Sequence, residues 1–150
     1  MHSSDSPQEA NIREALPSDA PRIAALCVQL GYDVPVSHVE RSLGRRDVDG
    51  EMFVAVVARV GVVGWVAVNA QESILTSRAA EVRGLVVEDE YRGIGVGALL
   101  LARAERWARE RGCPTLFLRS NVVRDRAHAF YERCGYARKK SQHVFEKQLA

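Results

Sequence analysis

The chain has 150 residues, of which 47% are hydrophobic and 27% are charged, and its formal net charge at pH 7 is +2. This length is typical of one domain with a substantial core. Because the net charge is small and the basic residues are dispersed, nothing indicates nucleic-acid binding. The three cysteines (Cys27, Cys113 and Cys134) are odd in number and widely spaced, which predicts a reduced, cytoplasmic protein rather than a disulfide framework.

The N-terminal residues are polar and lack the apolar run of a signal peptide. We therefore expect a disordered tail over residues 1–9 and a single domain over residues 10–150. The most hydrophobic window, Met52 to Val68, is interrupted by Arg59 and by turn-forming residues. It is too short to cross a bilayer, so no membrane partner is expected.

The first half of the chain predicts two helices and a hairpin. Ile23, Leu26, Cys27 and Leu30 recur at helical spacing, which indicates an amphipathic helix that Ser18 or Asp19 can cap. The predicted elements are a strand over Asn11–Ala15, this helix up to Leu30, a second helix that Ser37 caps and that runs to about Arg45, and an antiparallel hairpin of Met52–Ala58 and Val62–Asn69.

The second half predicts one strand–helix–strand unit followed by a helix and a hairpin. An apolar, β-branched run ends at Val87, and a helical pattern with Leu100, Ala104 and Trp107 on one face follows a glycine-rich turn. The predicted elements are a strand over Val82–Val87, a helix ending at Gly112, a parallel strand over Thr115–Arg119, a helix over about Arg124–Cys134, and a final hairpin of Tyr136–Lys139 and His143–Leu149.

The glycine-rich turn predicts an anion site. Amides in the first turn of a helix have no internal acceptor, and glycines let the backbone approach a phosphate closely. A P-loop is excluded because Gly97 is followed by Ala98-Leu99 rather than Lys-Ser/Thr. A dinucleotide fingerprint is disfavoured because the next strand ends in Arg119-Ser120-Asn121, without the acidic residue that would bind a ribose.

Two motifs carry a resemblance to a known family. The run Arg92-Gly93-Ile94-Gly95-Val96-Gly97 and the later segment Ala127-His128-Ala129-Phe130-Tyr131-Glu132-Arg133-Cys134-Gly135-Tyr136 resemble the two motifs of the GCN5-related N-acetyltransferases (GNAT). The resemblance implies an α/β fold of the mixed α+β kind. The implied fold has a mixed, mostly antiparallel sheet of six to seven strands, one central parallel βαβ pair and about four helices.

The resemblance also implies a cofactor site for acetyl-CoA and no metal, and the four histidines show no metal-ligand spacing. In the family, the pantetheine arm bonds the central strand and the pyrophosphate lies on the glycine turn. Asn121 is implied as a further pantetheine contact, with capping of the last helix as its alternative. The implied cofactor-binding residues are Leu85, Val86, Val87, Arg92, Gly93, Ile94, Gly95, Val96, Gly97, Ala98 and Asn121.

Two catalytic residues follow from the same resemblance. Tyr131 matches the tyrosine that many members use as a general acid toward the departing thiolate, and its alternative is packing in the core. Glu81 lies eleven residues before Arg92, where some members place a general base. Its alternative is a solvated strand-end residue paired with Arg83 or Arg78.

The predicted function is transfer of an acetyl group from acetyl-CoA to a primary amine by direct attack in a ternary complex. The expected acceptor is a small amine, amino acid or antibiotic-like molecule in preference to a protein, and a homodimer is left open. A catalytically silent acyl-CoA-binding or sensing module is the alternative, although Arg92, Gly95, Gly97 and Tyr131 argue against it.

Overall fold

The computed structural model describes residues 9–44, 49–120 and 125–150. The chain divides into two units, Met1–Leu118 and Arg119–Ala150. The first unit contains the sheet and three α-helices, and the second contains the fourth α-helix. The predicted tail over residues 1–9 falls outside the described ranges except for Glu9, and Asn121 also falls outside them.

A five-stranded sheet with the order β1-β2-β3-β4-β5 forms the first unit. Each of the first three strands pairs antiparallel with the next, whereas β5 runs parallel to β4. The mixed sheet and its single parallel βαβ pair are therefore confirmed, but the pair lies at the edge of the described sheet and not at its centre. The strands are β1 (Ala10–Glu14), β2 (Gly50–Val57), β3 (Gly61–Gln71), β4 (Ala79–Val87) and β5 (Leu116–Leu118).

Two helices cover one face of this sheet. The helix α1 (Ala20–Cys27) lies between two 3-10 turns and is followed by Gly31 in the left-handed region, with φ 87°. The helix α2 (Val36–Gly44) begins one residue before Ser37. Ser37 therefore lies inside the first turn and is not its cap, because the carbonyl of Pro35 accepts the first helical amides. The apolar side chains of this layer include Ile23, Leu26, Val39, Leu43, Val54, Trp65 and Val86.

The helix α3 (Val96–Glu110) packs against the sheet. Its predicted apolar face is confirmed, because Leu100, Ala104 and Trp107 are buried. A Cβ added to Gly64 of β3 would come within 3.2 Å of Leu100 Cδ1, which places that side chain directly on the strand. Gly112, with φ 74°, ends the helix as predicted.

An ion pair joins β1 to the turn before α1. Arg13 donates two hydrogen bonds, of 2.8 and 3.0 Å, to the carboxylate of Asp19, which also accepts the amide of Leu16 at 2.7 Å. Asp19 is buried. The hydrogen bonds from Arg13 hold the pKa of Asp19 below its ordinary value, and the same contact raises the pKa of Arg13.

In the second unit, α4 (Asp125–Arg133) matches its prediction, and Gly135 follows it with φ 95°. The predicted C-terminal hairpin is wrong, because no strand occurs in residues 136–150. The apolar side chains on which that prediction depended, Val144, Phe145 and Leu149, are 88%, 93% and 87% exposed. A hairpin is marginal unless it buries an apolar face, and the described sheet accordingly has five strands rather than six to seven.

Candidate active site

The strand β4 extends past its partner β5, and this leaves part of its backbone open. The parallel pairing covers Ala80–Val82 only, whereas the pairing with β3 continues to Val87. Between residues 83 and 87, the β5 side of the strand therefore has no partner strand in the described sheet. Leu85, Val86 and Val87, the predicted contacts of the pantetheine arm, all lie in this open stretch. An extended ligand could bond there as an added strand does.

A glycine turn follows at the end of β4 and leads into α3. Gly93 and Gly95 have φ values of 83° and 94°, a region that residues with a Cβ adopt at a cost, and both residues are exposed. The amide of Leu99 donates to the carbonyl of Gly95 at 3.0 Å, so the helical ladder begins there. The amides of residues 96–98 precede this bond and have no acceptor within the helix. The turn thus presents backbone donors at the positive end of the helix dipole.

Two arginines fix the base of this turn. Arg92 donates from Nε to the carbonyl of Val87 at 3.0 Å and pairs with Asp89 at 2.8 Å. Arg22 of α1 donates to the carbonyl of Val62 at 2.9 Å and pairs with Glu88 at 2.6 Å. These bonds tie the turn to β3, to the end of β4 and to α1. Arg92, predicted as a phosphate contact, therefore also braces the backbone that presents the amides.

Glu81 is a buried carboxylate near the start of β4. Only 4% of the residue is exposed, so the alternative of a solvated strand-end residue is wrong. Its Oε1 accepts hydrogen bonds from Gln71 Nε2 at 2.9 Å and from Arg83 Nη1 at 3.2 Å. Arg83 is thus its cationic partner, whereas Arg78 pairs with Asp49. Asn69 of β3 lies directly opposite Glu81 in the antiparallel register.

Two buried polar atoms on the same face of β3 have no hydrogen-bond partner within the described residues, namely Trp65 Nε1 and Asn69 Oδ1. Ala67 lies between them and pairs with Gly84 of β4. A Cβ at Gly84 would lie 2.6 Å from Cη2 of Trp65, so the indole ring rests on the bare backbone there. Because buried polar groups normally have partners, this face is suited to a polar ligand or to ordered water.

Tyr131 belongs to the second unit, on α4. Its ring is half-buried and lies 5.4 Å from the ring of Phe130 and 6.4 Å from that of Tyr136, measured between centroids. Its role as a general acid stays a prediction from the motif. The predicted pantetheine contact Asn121 lies outside the described part of the chain.

Burial raises the pKa of the Cys27 thiol, which opposes a nucleophilic role for that residue. Over the ranges that the structure describes, no group of three or more His, Cys, Asp or Glu side chains is arranged to hold a metal ion. In the same ranges, no helix is both long enough and apolar enough to cross a membrane.

The site includes residues that motif reading missed. Arg22, Asn69 and Gln71 bond to predicted site elements or lie beside them, whereas Arg83 was already named as a possible partner of Glu81. A signal existed for two of them, because Asn69 and Gln71 alternate with Val68 and Ala70 in an otherwise apolar strand. Polar residues at every second position place a polar patch on one face of a sheet. Arg22 forms its bond to Glu88 across 66 residues of sequence, and no local pattern predicts such a contact.

An antiparallel meander leads into one parallel βαβ unit, with an open strand edge next to a glycine turn. This arrangement defines an α/β protein that can hold an extended, phosphate-bearing ligand. Residues 21–136 match the Acetyltransferase (GNAT) family, and the chain belongs to that family. It is an acetyltransferase that uses acetyl-CoA, as the family does.

Two relatives are similar over most of their length. The aminoglycoside N(6')-acetyltransferase type 1 of Stenotrophomonas maltophilia is 33% identical over 131 residues, which are 83% of this chain and 84% of the relative. The aminoalkylphosphonate N-acetyltransferase of Salmonella typhimurium is 31% identical over 141 residues, which are 92% of this chain and 90% of the relative.

Solved structures agree with this fold. An aminoglycoside N-acetyltransferase in complex with CoA has a TM-score of 0.85 at 16% identity, covering 97% of this chain and 99% of that one. An aminoglycoside 6'-N-acetyltransferase of Acinetobacter baumannii has a TM-score of 0.82 at 20% identity, covering 94% and 99%. At these identities the likeness establishes the fold.

Proposed function

We propose that this chain transfers the acetyl group of acetyl-CoA directly to the primary amine of a small molecule, on the open stretch of β4. The observation that carries this proposal is the position of Glu81. It is a buried carboxylate on the strand whose continuation, residues 83–87, has an open backbone edge. A base and an extended-ligand edge on one strand are the two parts that direct transfer requires.

Acetyl-CoA would lie along β4 and end on the glycine turn. The amides of residues 93–98 would hold the pyrophosphate. Gly93 and Gly95 have no Cβ, and nothing lies within 4 Å of the position that a Cβ would take, so a phosphate can approach the backbone there. The open edge at residues 85–87 would bond the pantetheine arm, and an amide there would polarise the thioester carbonyl. Arg92 would contribute positive charge while its Nε keeps the turn fixed to Val87.

The chemistry then needs three proton transfers. Glu81, directly or through one water, first removes a proton from the bound ammonium. The neutral amine attacks the thioester carbon, forming a C–N bond and a tetrahedral oxyanion held by backbone amides. As the C–S bond breaks, the nitrogen releases its remaining extra proton to water, and the thiolate of CoA receives a proton, which we assign to Tyr131 on the basis of its motif.

The acceptor is proposed to be a small amine, since both curated relatives are named for small amine substrates. Their names leave two chemistries open, a polycationic aminoglycoside and an aminoalkylphosphonate that carries its own negative charge. A second copy of the chain in a homodimer stays a prediction. A cytoplasmic location also stays a prediction, and the free thiols of Cys27, Cys113 and Cys134 are consistent with it.

The substitution Glu81→Gln tests this proposal. It keeps the shape of the side chain and removes the charge, so kcat/KM for the amine should fall by about 10²–10⁴-fold, the usual range for a general base. The loss should be largest at low pH, where more of the amine is protonated. The matched control is Glu110→Gln, an exposed glutamate on α3, which should leave the pH–rate profile unchanged. A Glu81→Gln profile that overlays the wild type would restrict Glu81 to a structural role.

A further inference from the structure

The ion pair between Glu81 and Arg83 is asymmetric. The Glu81 side chain is 5% exposed and the Arg83 side chain is 56% exposed, with Oε1 and Nη1 separated by 3.2 Å. The carboxylate is fixed from a second direction by Gln71. Because more than half of its side chain is exposed, Arg83 can be exchanged at Glu81 for another cation from solvent, whereas the buried carboxylate stays in place and keeps a positive partner.

Glu81 and Arg83 are two positions apart on β4, so their side chains can meet on one face, and a β-bulge lies at Arg83. Val82 pairs with Val68 and Gly84 pairs with Ala67, so Arg83 has no residue opposite it on β3. A bulged residue changes the direction of its side chain, and bulges are common next to active sites. The bulge lies between Glu81 and the open edge at residues 85–87. Arg83 thus lies beside Glu81, on the stretch of β4 that leads to the open edge.

The face of β3 opposite Glu81 belongs to a largely apolar layer but carries polar atoms whose hydrogen bonds are unsatisfied within the described residues. Asn69 Oδ1 and Trp65 Nε1 are buried without a hydrogen-bond partner in the described residues, and both side chains lie on the same side of β3. Asn69 is itself the residue opposite Glu81. Only small residues, Ala67 and Gly84, separate the side chains of Trp65 and Asn69. An unpaired acceptor on the residue opposite Glu81, and an unpaired donor further along the same face of β3, match a ligand that carries both charges and hydrogen-bonding groups.

We propose that the acceptor is a dipolar amine, whose amino group binds at Glu81 and whose own acid group binds Arg83. This inference rests on the proposed function and names its substrate class. The acceptor would exchange one ion pair for two, because the ammonium replaces Arg83 at Glu81 and the acid replaces Glu81 at Arg83. Charge at the site stays balanced throughout, and the guanidinium can bind a carboxylate or phosphonate in a bidentate manner.

The same geometry disfavours two other acceptor types. A polycationic amine would meet the like charge of Arg83, and an amine without an acid group would compete with Arg83 for Glu81. The Cα atoms of residues two positions apart on a strand are about 6–7 Å apart. This short spacing between positions 81 and 83 favours an acceptor whose amino and acid groups are separated by two or three carbon atoms.

The test compares four probes on the full chain. The dipolar probes are 2-aminoethylphosphonate and β-alanine. The third probe is n-propylamine, which has the three-carbon chain of β-alanine without its acid group, and the fourth is an aminoglycoside, which is a polycation. Binding is measured by calorimetry with CoA present, and turnover is measured with acetyl-CoA. The wild type should bind and acetylate a dipolar probe at least about 10-fold better than n-propylamine, the difference that a charge-assisted bond supplies. The two dipolar probes then distinguish a phosphonate from a carboxylate acceptor.

The variant Arg83→Gln should raise KM for the dipolar probe by about 10–100-fold with little change in kcat. It should leave KM for acetyl-CoA unchanged and should not weaken binding of n-propylamine. Arg83→Lys should recover part of the loss. The control is Arg109→Gln, another exposed, ion-paired arginine, on α3, which should behave as wild type.

Three results would overturn the inference. One is a wild type that prefers n-propylamine or the aminoglycoside, the second is an equal loss for all amines in Arg83→Gln, and the third is full activity of that variant on the dipolar probes. In each of these cases the chain still acetylates amines, so the proposed function survives. If no probe is acetylated, the proposed function fails, and the calorimetric comparison of probes still decides on the dipolar site.

Discussion

A negative charge placed at Gly95 should abolish acetyl-CoA binding without unfolding the chain. Gly95 has φ 94°, precedes α3, and has no atom within 4 Å of an added Cβ. A side chain would therefore meet open space, and the substitution costs only the backbone strain of the left-handed region. Asn and Asp tolerate that region better than other residues with a Cβ. Comparing Gly95→Asp with Gly95→Asn then isolates the effect of the charge.

The magnitude follows from Coulomb's law. A carboxylate about 4 Å from a phosphate charge costs about 1 kcal/mol in a water-like medium and about 4 kcal/mol at the effective dielectric near a protein surface. Two phosphate charges give at least about 2 kcal/mol, which is a loss of about 30-fold or more in affinity. Calorimetric titration with acetyl-CoA measures this difference between the Asp and Asn variants.

The fold control is Gly31→Asp, because Gly31 has φ 87°, equally open surroundings and a position before α2 rather than at the glycine turn. It should lose similar stability and keep wild-type affinity. If Gly95→Asp and Gly95→Asn bind acetyl-CoA equally well while both are folded, the pyrophosphate does not lie on this turn.

Three further predictions address mechanism and stability. Tyr131→Phe should lower kcat by about 10²–10⁴-fold with little change in melting temperature, whereas a destabilised variant with wild-type kcat would remove the hydroxyl from the mechanism. Gly84→Ala should cost about 1–3 kcal/mol in urea denaturation, because the new methyl group overlaps the Trp65 ring; Gly44→Ala, with nothing within 4 Å, is its neutral control. Asp19→Asn should cost about 1–3 kcal/mol at pH 7. Because Arg13 lowers the folded pKa of Asp19, this contribution is fully present above the unfolded value of about 3.9 and is lost as the pH falls through the folded pKa; a cost that does not shrink as the pH is lowered below the unfolded value would contradict the assignment.

Local patterns predicted most of the fold because apolar spacing and glycine stops are local signals. The α3 helix is an example, since its buried face and its end at Gly112 both follow from the sequence. The strand β4 begins at Ala79, three residues earlier than predicted, because Ala80 pairs with strands on both sides. Alanine has low intrinsic strand preference, and pairing overrides it. The C-terminal hairpin failed for the opposite reason, since its alternating apolar residues find no surface that buries them.

The candidate site was predictable where its residues lie in one continuous motif. The glycine turn and Glu81 were located from the sequence, but their surroundings were not. Glu81 is buried and accepts a hydrogen bond from Gln71, ten residues away in sequence, and the bulge at Arg83 appears only in the register of β3 and β4. Register is set by tertiary pairing. The proposed acceptor side of the site therefore rests on the structure, whereas the residues proposed for the cofactor rest on the motif and stay a prediction.

The central claim is that this chain acetylates a small amine with acetyl-CoA. It is tested most directly by measuring release of the CoA thiol by the wild-type chain across small amines, amino acids and peptides, with the product identified by mass spectrometry. The account predicts thiol release that depends on the amine and that equals the amount of N-acetylated product, with a dipolar small amine as the best acceptor. Acetyl-CoA that binds tightly, while no amine in the panel is acetylated, would contradict it and identify a silent acyl-CoA-binding module.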